Sequence, residues 1–326
     1  MRICSSQAEA CERDRDLRAV VLGEESGGQH DGDSVPVACR DDAIDSQIPR
    51  TVYEVQQHFG YRYPAPISNL CQRLVVMPRP VHGNQRVLSY RLEVSEPCSH
   101  ERMRVDRFGN IIVEITIPTV EVAVDFDVSL IVERCTGSGP HLEAATRQAL
   151  DIYLLPSALT LPDSALRAVA DTLARGGERG ADRVRVIGDW VYRRMSYGFD
   201  RTGVHTTAVE ALAAGHGVCQ DYAHLMLVLC RLLGIPARYV SGHLVGEGGT
   251  HAWVEVLLPG PGHAVEVVAW DPTHDRPADL RYITVAVGCD YRDVAPVSGT
   301  YCGPHAGSLS AARRVSVADV EREIAA

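Results

Sequence analysis

Between positions 49 and 135 apolar and polar residues alternate in short runs broken by turn residues. TVYEVQQHFGYRY, CQRLVVMP, QRVLSYRLEVS, RMRVDRFGN, IIVEITIP and TVEVAVDFDVSLIVER each read as a strand. In the last run Val120, Val122, Val124, Phe126, Val128 and Leu130 share one face, and Glu121, Asp125 and Asp127 take the other. Gly109-Asn110 falls between two runs, where a tight hairpin fits. An antiparallel β-sandwich domain is predicted over 49–135.

The period then changes. Residues 136–162, with Gly137, Gly139 and Pro140, read as a connector. Asp163 can cap a helix in which Leu166, Val169, Ala170 and Leu173 recur at helical spacing. A second helix starts near Asp182, with Val184, Ile187, Val191 and Met195 on one face. Thr207 and Glu210 make a capping box for a third. A fourth is expected to begin at Cys219, with Tyr222, Ala223, Met226, Leu227, Cys230 and Leu233 in one stripe, and to stop at Gly234 before Pro236. Three strands follow, ARYVSGHLV, HAWVEVLL and AVEVVAWDP, joined by glycine-rich GEGG and PGPG as hairpin loops. The tail is rich in turn residues, with a last strand near RRVSVADV. Residues 163–326 are thus expected as one α+β catalytic domain, helices first and antiparallel sheet second.

Composition narrows the function. The chain has 326 residues, 45% apolar and 23% charged, as in ordinary globular proteins. Its net charge of -10 argues against nucleic acid, which selects a basic face. All 32 basic residues are arginine, so no side-chain amine is available to attack an acyl group held by the protein itself. Ten cysteines are scattered without a CxxC pair or a Cys/His metal spacing. GEGG lies between strands, not before a helix, so no phosphate loop is read there. No metal or cofactor is expected. Residues 1–48, with Cys4, Cys11 and Cys39, are polar and acidic and are expected as a disordered leader. They lack the apolar run of a signal peptide, and no segment approaches the ~20 apolar residues of a membrane span. No membrane partner and a cytoplasmic location are expected.

One stretch carries chemistry, GHGVCQDYAHLMLVLCRLLGIPARYVSGHLVGEGGTHAWVEV and then AVEVVAWDPTH. A thiol attacks as its thiolate. Cys219 stands at the expected N-terminus of a helix, where free N–H groups and the helix dipole favour an anion. His251 opens a strand beside a hairpin loop, and Asp271 ends the next strand. Antiparallel pairing would bring those ends together, giving nucleophile, base and orienting acid. Gln220 and Asp221 either position a substrate or cap the helix. Trp253 shares the strand face of His251 and either walls the site or fills core. His205, His216, His224, His243 and His274 are read as structural or exposed.

The motifs GVCQD, GIPARYVSG, HAWVEV and WDPTH resemble the core of the transglutaminase-like superfamily, in its bacterial cysteine-protease-like branch. The run from YRYPAPISNLCQRLVVMPRP to DRFGNIIVEITIP resembles the β domain that precedes that core in bacterial members. The resemblance spans about residues 50 to 320. It implies a papain-like α+β core with Cys219 as nucleophile, His251 as base and Asp271 as its partner. It further implies acyl transfer from a peptide or protein amide through a thioester, with hydrolysis favoured because that branch is protease-like. No pattern for the additional C-terminal β domains or calcium sites of the animal cross-linking enzymes is read. The alternatives are a protein-glutamine transglutaminase, with a primary amine as acceptor, and a binding module with a silent papain-like fold.

Overall fold

The computed structural model describes residues 50–321, apart from 138–140, 145, 199–201 and 248. The expected leader and its three cysteines lie outside the described residues. Seven strands come first, β1 (Arg50–Arg62), β2 (Ile67–Met77), β3 (Val81–His82), β4 (Gln85–Val94), β5 (His100–Val105), β6 (Ile111–Val120) and β7 (Ala123–Cys135). The short strand β8 (Leu142–Ala144) leads to helices α1 (Arg147–Asp151), α2 (Ser164–Ala174) and α3 (Gly180–Arg194). Strand β9 (Ser196–Tyr197), helix α4 (Ala208–Ala214), strand β10 (His216–Gly217) and helix α5 (Cys219–Leu232) follow. The remainder is β11 (Ala237–Leu244), β12 (His251–Pro259), β13 (Ala264–Asp271), β14 (Arg276–Pro277), β15 (Tyr282–Gly288), α6 (Tyr291–Val294), β16 (Val297–Cys302) and β17 (Ser308–Glu321).

The β unit is a sandwich. One sheet runs β17-β1-β7-β4-β3 and the other β16-β2-β6-β5. Alternation decides which side chains meet between them: Val55 and Phe59 of β1, Val124, Phe126, Val128 and Leu130 of β7, and Leu70 and Leu74 of β2 are all buried in one cluster. Burying each large side chain stabilises the fold by roughly 1.5–3 kcal/mol. The predicted face of 120–130 needs one correction. Val122 is 64% exposed because the run is two strands, and Val122 sits in the turn between β6 and β7. Its carbonyl instead accepts from Tyr63 N at 2.7 Å. The hairpin at Gly109-Asn110 is present between β5 and β6, with Gly109 at φ +83°.

The C-terminal segment does not stay with the helices. β17 pairs antiparallel with β1 from Arg50↔Glu321 to Arg62↔Ser308, and β16 pairs with β2. Each sheet of the sandwich therefore takes one strand from beyond the helix-and-sheet core. The connector carries contacts of its own. Its β8 pairs with β13, and the buried Arg231 of α5 donates to Tyr153 O at 3.1 Å and Thr160 Oγ1 at 2.7 Å. The same guanidinium reaches Ala237 O and Cys289 O, so four segments share one buried cation.

The helical predictions hold at their caps. Asp163 accepts from Leu166 N at 2.9 Å, and Thr207 and Glu210 form the capping box of α4. Gly234 follows α5 at φ +72°. α5 itself is buried all round from Gln220 to Arg231, wider than the predicted stripe. It lies between α2, α3 and α4 on one side and β11 and β12 on the other. The sheet packed on α5 runs β14-β13-β12-β11-β15, with β8 beside β13. The architecture is α+β with an N-terminal antiparallel β region, as the sequence predicts.

Among the described residues the edge strand β15 has no strand on its outer side in that sheet; amide side chains of the β unit take the place of one. Gln85 accepts from Thr284 N at 2.8 Å and donates to Thr284 O at 2.7 Å. Asn110 does the same for Val287, at 2.9 and 2.7 Å. Arg134 donates to Tyr282 O. Each primary amide imitates a peptide group, so the exposed edge of the sheet is closed by side chains. A buried ion network adds to this join. Glu255 of β12 accepts from Arg238 Nε at 2.6 Å and lies 2.7 Å from His82 Nε2 of β3, while Arg238 also grips Glu143 of β8 with two bonds of 2.8 and 2.9 Å.

Candidate active site

The site forms where the start of α5 meets the ends of β12 and β13. Cys219 is the first residue of α5, partly exposed, and its thiol stands close enough to His251 to raise the basicity of the imidazole. Two neighbours fix that helix start. Asp221 Oδ2 accepts from Val218 N at 2.8 Å and from Thr202 Oγ1 at 2.7 Å. A Cβ on Gly217 would come within 2.4 Å of the same oxygen, so the glycine before the thiol leaves room for the cap. Asp221 is therefore a buried cap of the helix, the second of its two expected roles. Gln220 is also turned inward, its amide donating to Gly203 O at 3.4 Å.

β12 and β13 pair antiparallel, Val254 opposite Trp270, which brings the start of one to the end of the other. His251 Nε2 stands 2.7 Å from Asp271 Oδ2, both side chains almost fully buried. Burial alone would lower the basicity of His251, but its hydrogen bonds to Asp271, Cys219 and Glu247 outweigh burial and raise it well above the usual histidine range. Burial would raise Asp271, but the bonds from His251, His274 and Tyr282 hold it well below the usual carboxylate range. Oδ1 accepts from the backbone N–H of Thr273 at 2.8 Å and of His274 at 3.3 Å.

Three contributors are not read from the sequence as part of the site, His274 among them, which is expected there as structural or exposed. His274 Nδ1 lies 2.7 Å from Asp271 Oδ2, so it belongs to the cluster. Its place in the WDPTH motif was the available signal. Tyr282 donates to the same oxygen at 2.7 Å, and burial beside that carboxylate keeps its phenol protonated. It sits on β15, a strand hidden by the turn-rich tail. Glu247, on the hairpin between β11 and β12, lies 3.2 Å from His251 Nδ1. His251, Asp271 and His274 each offer a donor atom within 4.8 Å of the others, the grouping a metal ion requires. The hydrogen bonds among them already engage those atoms.

Trp253 is 1% exposed. Its ring packs on His251 with centroids 6.3 Å apart and meets Tyr282 edge-on at 5.3 Å. It supports the imidazole from the core and does not line the cleft. Gly242, paired with His251 across the strands, makes room for it. A Cβ there would lie 2.1 Å from Ile283 O and 2.6 Å from the Trp253 ring. Gly242→Ala is expected to lose about 1–3 kcal/mol by overpacking and to disturb the base. Thermal denaturation tests it, and an unchanged midpoint would contradict this packing. Beside the cluster a cleft of about 770 Å3 is lined by Tyr192, Tyr197, Tyr222, Glu247, His251 and His274, among others.

A helix-start thiol, a strand-start imidazole and a buried carboxylate meet on a helix-then-sheet α+β core, the fold class of transglutaminase-like proteins. The chain belongs to the transglutaminase-like superfamily. The profile of that superfamily matches residues 167–267, and the bacterial transglutaminase-like N-terminal region matches 53–133. An uncharacterized protein of Mycobacterium leprae is 31% identical over 268 residues, 77% of this chain and 93% of its own. One from Mycobacterium tuberculosis is 32% identical over 272 residues, 76% and 86% respectively. The fold is similar to that of a candidate cysteine protease from Cytophaga hutchinsonii. That match has a TM-score of 0.68, 20% identity, and coverage of 84% of this chain and 92% of that one.

Proposed function

We propose that the protein is a thiol-dependent acyl-transfer enzyme acting on peptide or carboxamide bonds, with water as the usual acceptor. The observation that carries this reading is the contact of Cys219 with His251, whose far nitrogen is 2.7 Å from Asp271. The Cys219 thiolate attacks the carbonyl carbon, and the carbonyl electrons move to oxygen. His251 then gives its proton to the departing amine, the C–N bond breaks, and a thioester remains. His251 takes a proton from water as its oxygen adds to the thioester carbon, the C–S bond breaks, and the acid departs, leaving the thiolate and imidazolium as they began. The description of the Cytophaga hutchinsonii neighbour as a candidate cysteine protease favours water over an amine. The proposed substrate is a peptide or protein, and the proposed setting is the cytoplasm, which the scattered cysteines favour.

Iodoacetamide at neutral pH tests the nucleophile. Cys219 is expected to be alkylated at least tenfold faster than Cys230, which is buried in α5 with its thiol pushed up to about 12 by desolvation. Equal rates would remove the basis of the proposal. The acceptor is then read from a glutamine-containing peptide library with and without a labelled primary amine. Backbone or side-chain amide hydrolysis is expected, and label incorporation without it would assign the chain to amine transfer instead.

A further inference from the structure

Glu247 is not explained by a thiol, a base and one orienting acid. Its carboxylate lies 3.2 Å from His251 Nδ1 through Oε2 and 3.2 Å from His274 Nε2 through Oε1. On the inner side Asp271 Oδ2 lies 2.7 Å from His251 Nε2 and 2.7 Å from His274 Nδ1. Two imidazoles are thus held between two carboxylates, one fully buried and one half-exposed on the β11–β12 hairpin. All four ring nitrogens face an oxygen. An ionised carboxylate only accepts, and an imidazole donates from both nitrogens only when protonated. The contact of His251 with both acids therefore matches its imidazolium form, the form that accompanies a thiolate. Since Nε2 is taken by Asp271, Nδ1 is the nitrogen left to serve Cys219. Glu247 and Cys219 address the same edge of the ring.

We propose that Glu247 is a positioning residue for this reaction: steadied by His274, it shares the Nδ1 edge of His251 with Cys219 and holds the ring charged and in place between turnovers. The inference rests on the thiol–imidazole reading above. It gives the half-reactions different driving forces. Once Nδ1 has passed its proton to the leaving amine, a lone pair faces the Glu247 carboxylate, acceptor against acceptor. That repulsion favours return of a proton to Nδ1, and the incoming water supplies it as its oxygen adds to the thioester carbon.

The groups facing His251 are Cys219 from α5, Glu247 from the hairpin, Asp271 at the end of β13, His274 just beyond it and Tyr282 from β15. Tyr197 of β9 is in electrostatic contact with Cys219, Glu247 and Asp271. Removing the Glu247 charge takes a negative charge away from both members of the pair. The anionic sulfur then forms, and the ring gives up its proton, at lower pH.

The test is the pH profile of Cys219 alkylation by iodoacetamide, followed by peptide mass spectrometry in the full chain. Glu247→Gln is expected to move both limbs of the profile to lower pH by about half to one unit. Glu247→Asp, which keeps the charge on a shorter arm, is expected to move them less. The thermal midpoint of Glu247→Gln should match that of the unaltered protein, which separates a charge effect from lost structure. A Glu247→Gln profile that superimposes on the original overturns the assignment while leaving the thiol–imidazole reading intact. A Cys219 that reacts no faster than Cys230 in the unaltered protein overturns both.

Discussion

Asp271→Asn is expected to lower the rate of amide cleavage by about 10³–10⁴-fold. The carboxylate is fully buried and receives five hydrogen bonds, three on Oδ2 and two on Oδ1. An asparagine has one acceptor and one donor end. With its oxygen toward the imidazoles, its NH2 meets the N–H groups of Thr273 and His274. Turned over, its NH2 meets two imidazoles and a phenol. Either way a donor faces donors, and the charge that steadies the His251 imidazolium is gone. The measurement is steady-state cleavage of the best library peptide, alongside the alkylation rate of Cys219. A rate within tenfold of the original would show that Asp271 is only a structural acceptor.

The second large effect is on stability. Glu255→Ala is expected to cost about 3–5 kcal/mol, because it takes the carboxylate from the buried His82 and leaves the buried Arg238 with Glu143 alone. Burial would raise the Glu255 carboxyl, but Arg238 and His82 hold it well below the usual range. A carboxyl depressed in the folded state contributes stability that is fully present above its unfolded value of ~4.3 and fades as pH falls below it. The gap between variant and original should therefore be widest near neutrality and shrink in acid. Urea denaturation at several pH values checks this, and a constant gap would mean that the loss comes from packing alone.

Cys219, His251 and Asp271 were legible because each stands at an element boundary that the sequence marks. Gly217 precedes the helix, a glycine-rich hairpin precedes β12, and Pro272 ends β13. The helix caps at Asp163 and Thr207 were legible for the same reason, since capping is local chemistry. His274, Glu247 and Tyr282 were not, because their role exists only once three separate segments converge on one carboxylate. Tyr282 was further hidden because its strand was not separated from the turn-rich tail. The all-round burial of α5 was masked by Gln220, Asp221, His224 and Arg231, polar residues whose partners lie outside the helix. Pairing of β17 with β1 leaves no local trace either, since Val55 and Val315 meet across most of the sequence.

That last pairing has a consequence for synthesis. β1 is among the first described segments to leave the ribosome, yet one of its two neighbours, β17, is made only after every strand of the sheet formed by β8 and β11–β15. Domains emerging from a ribosome ordinarily fold in order, N-terminal first. Here the opening sandwich has to wait, its β1 edge open, while the enzyme-like core between its two parts is completed. A nascent chain stalled near residue 300 would carry its thiol, imidazole and carboxylate but leave that edge bare, a natural target for a chaperone.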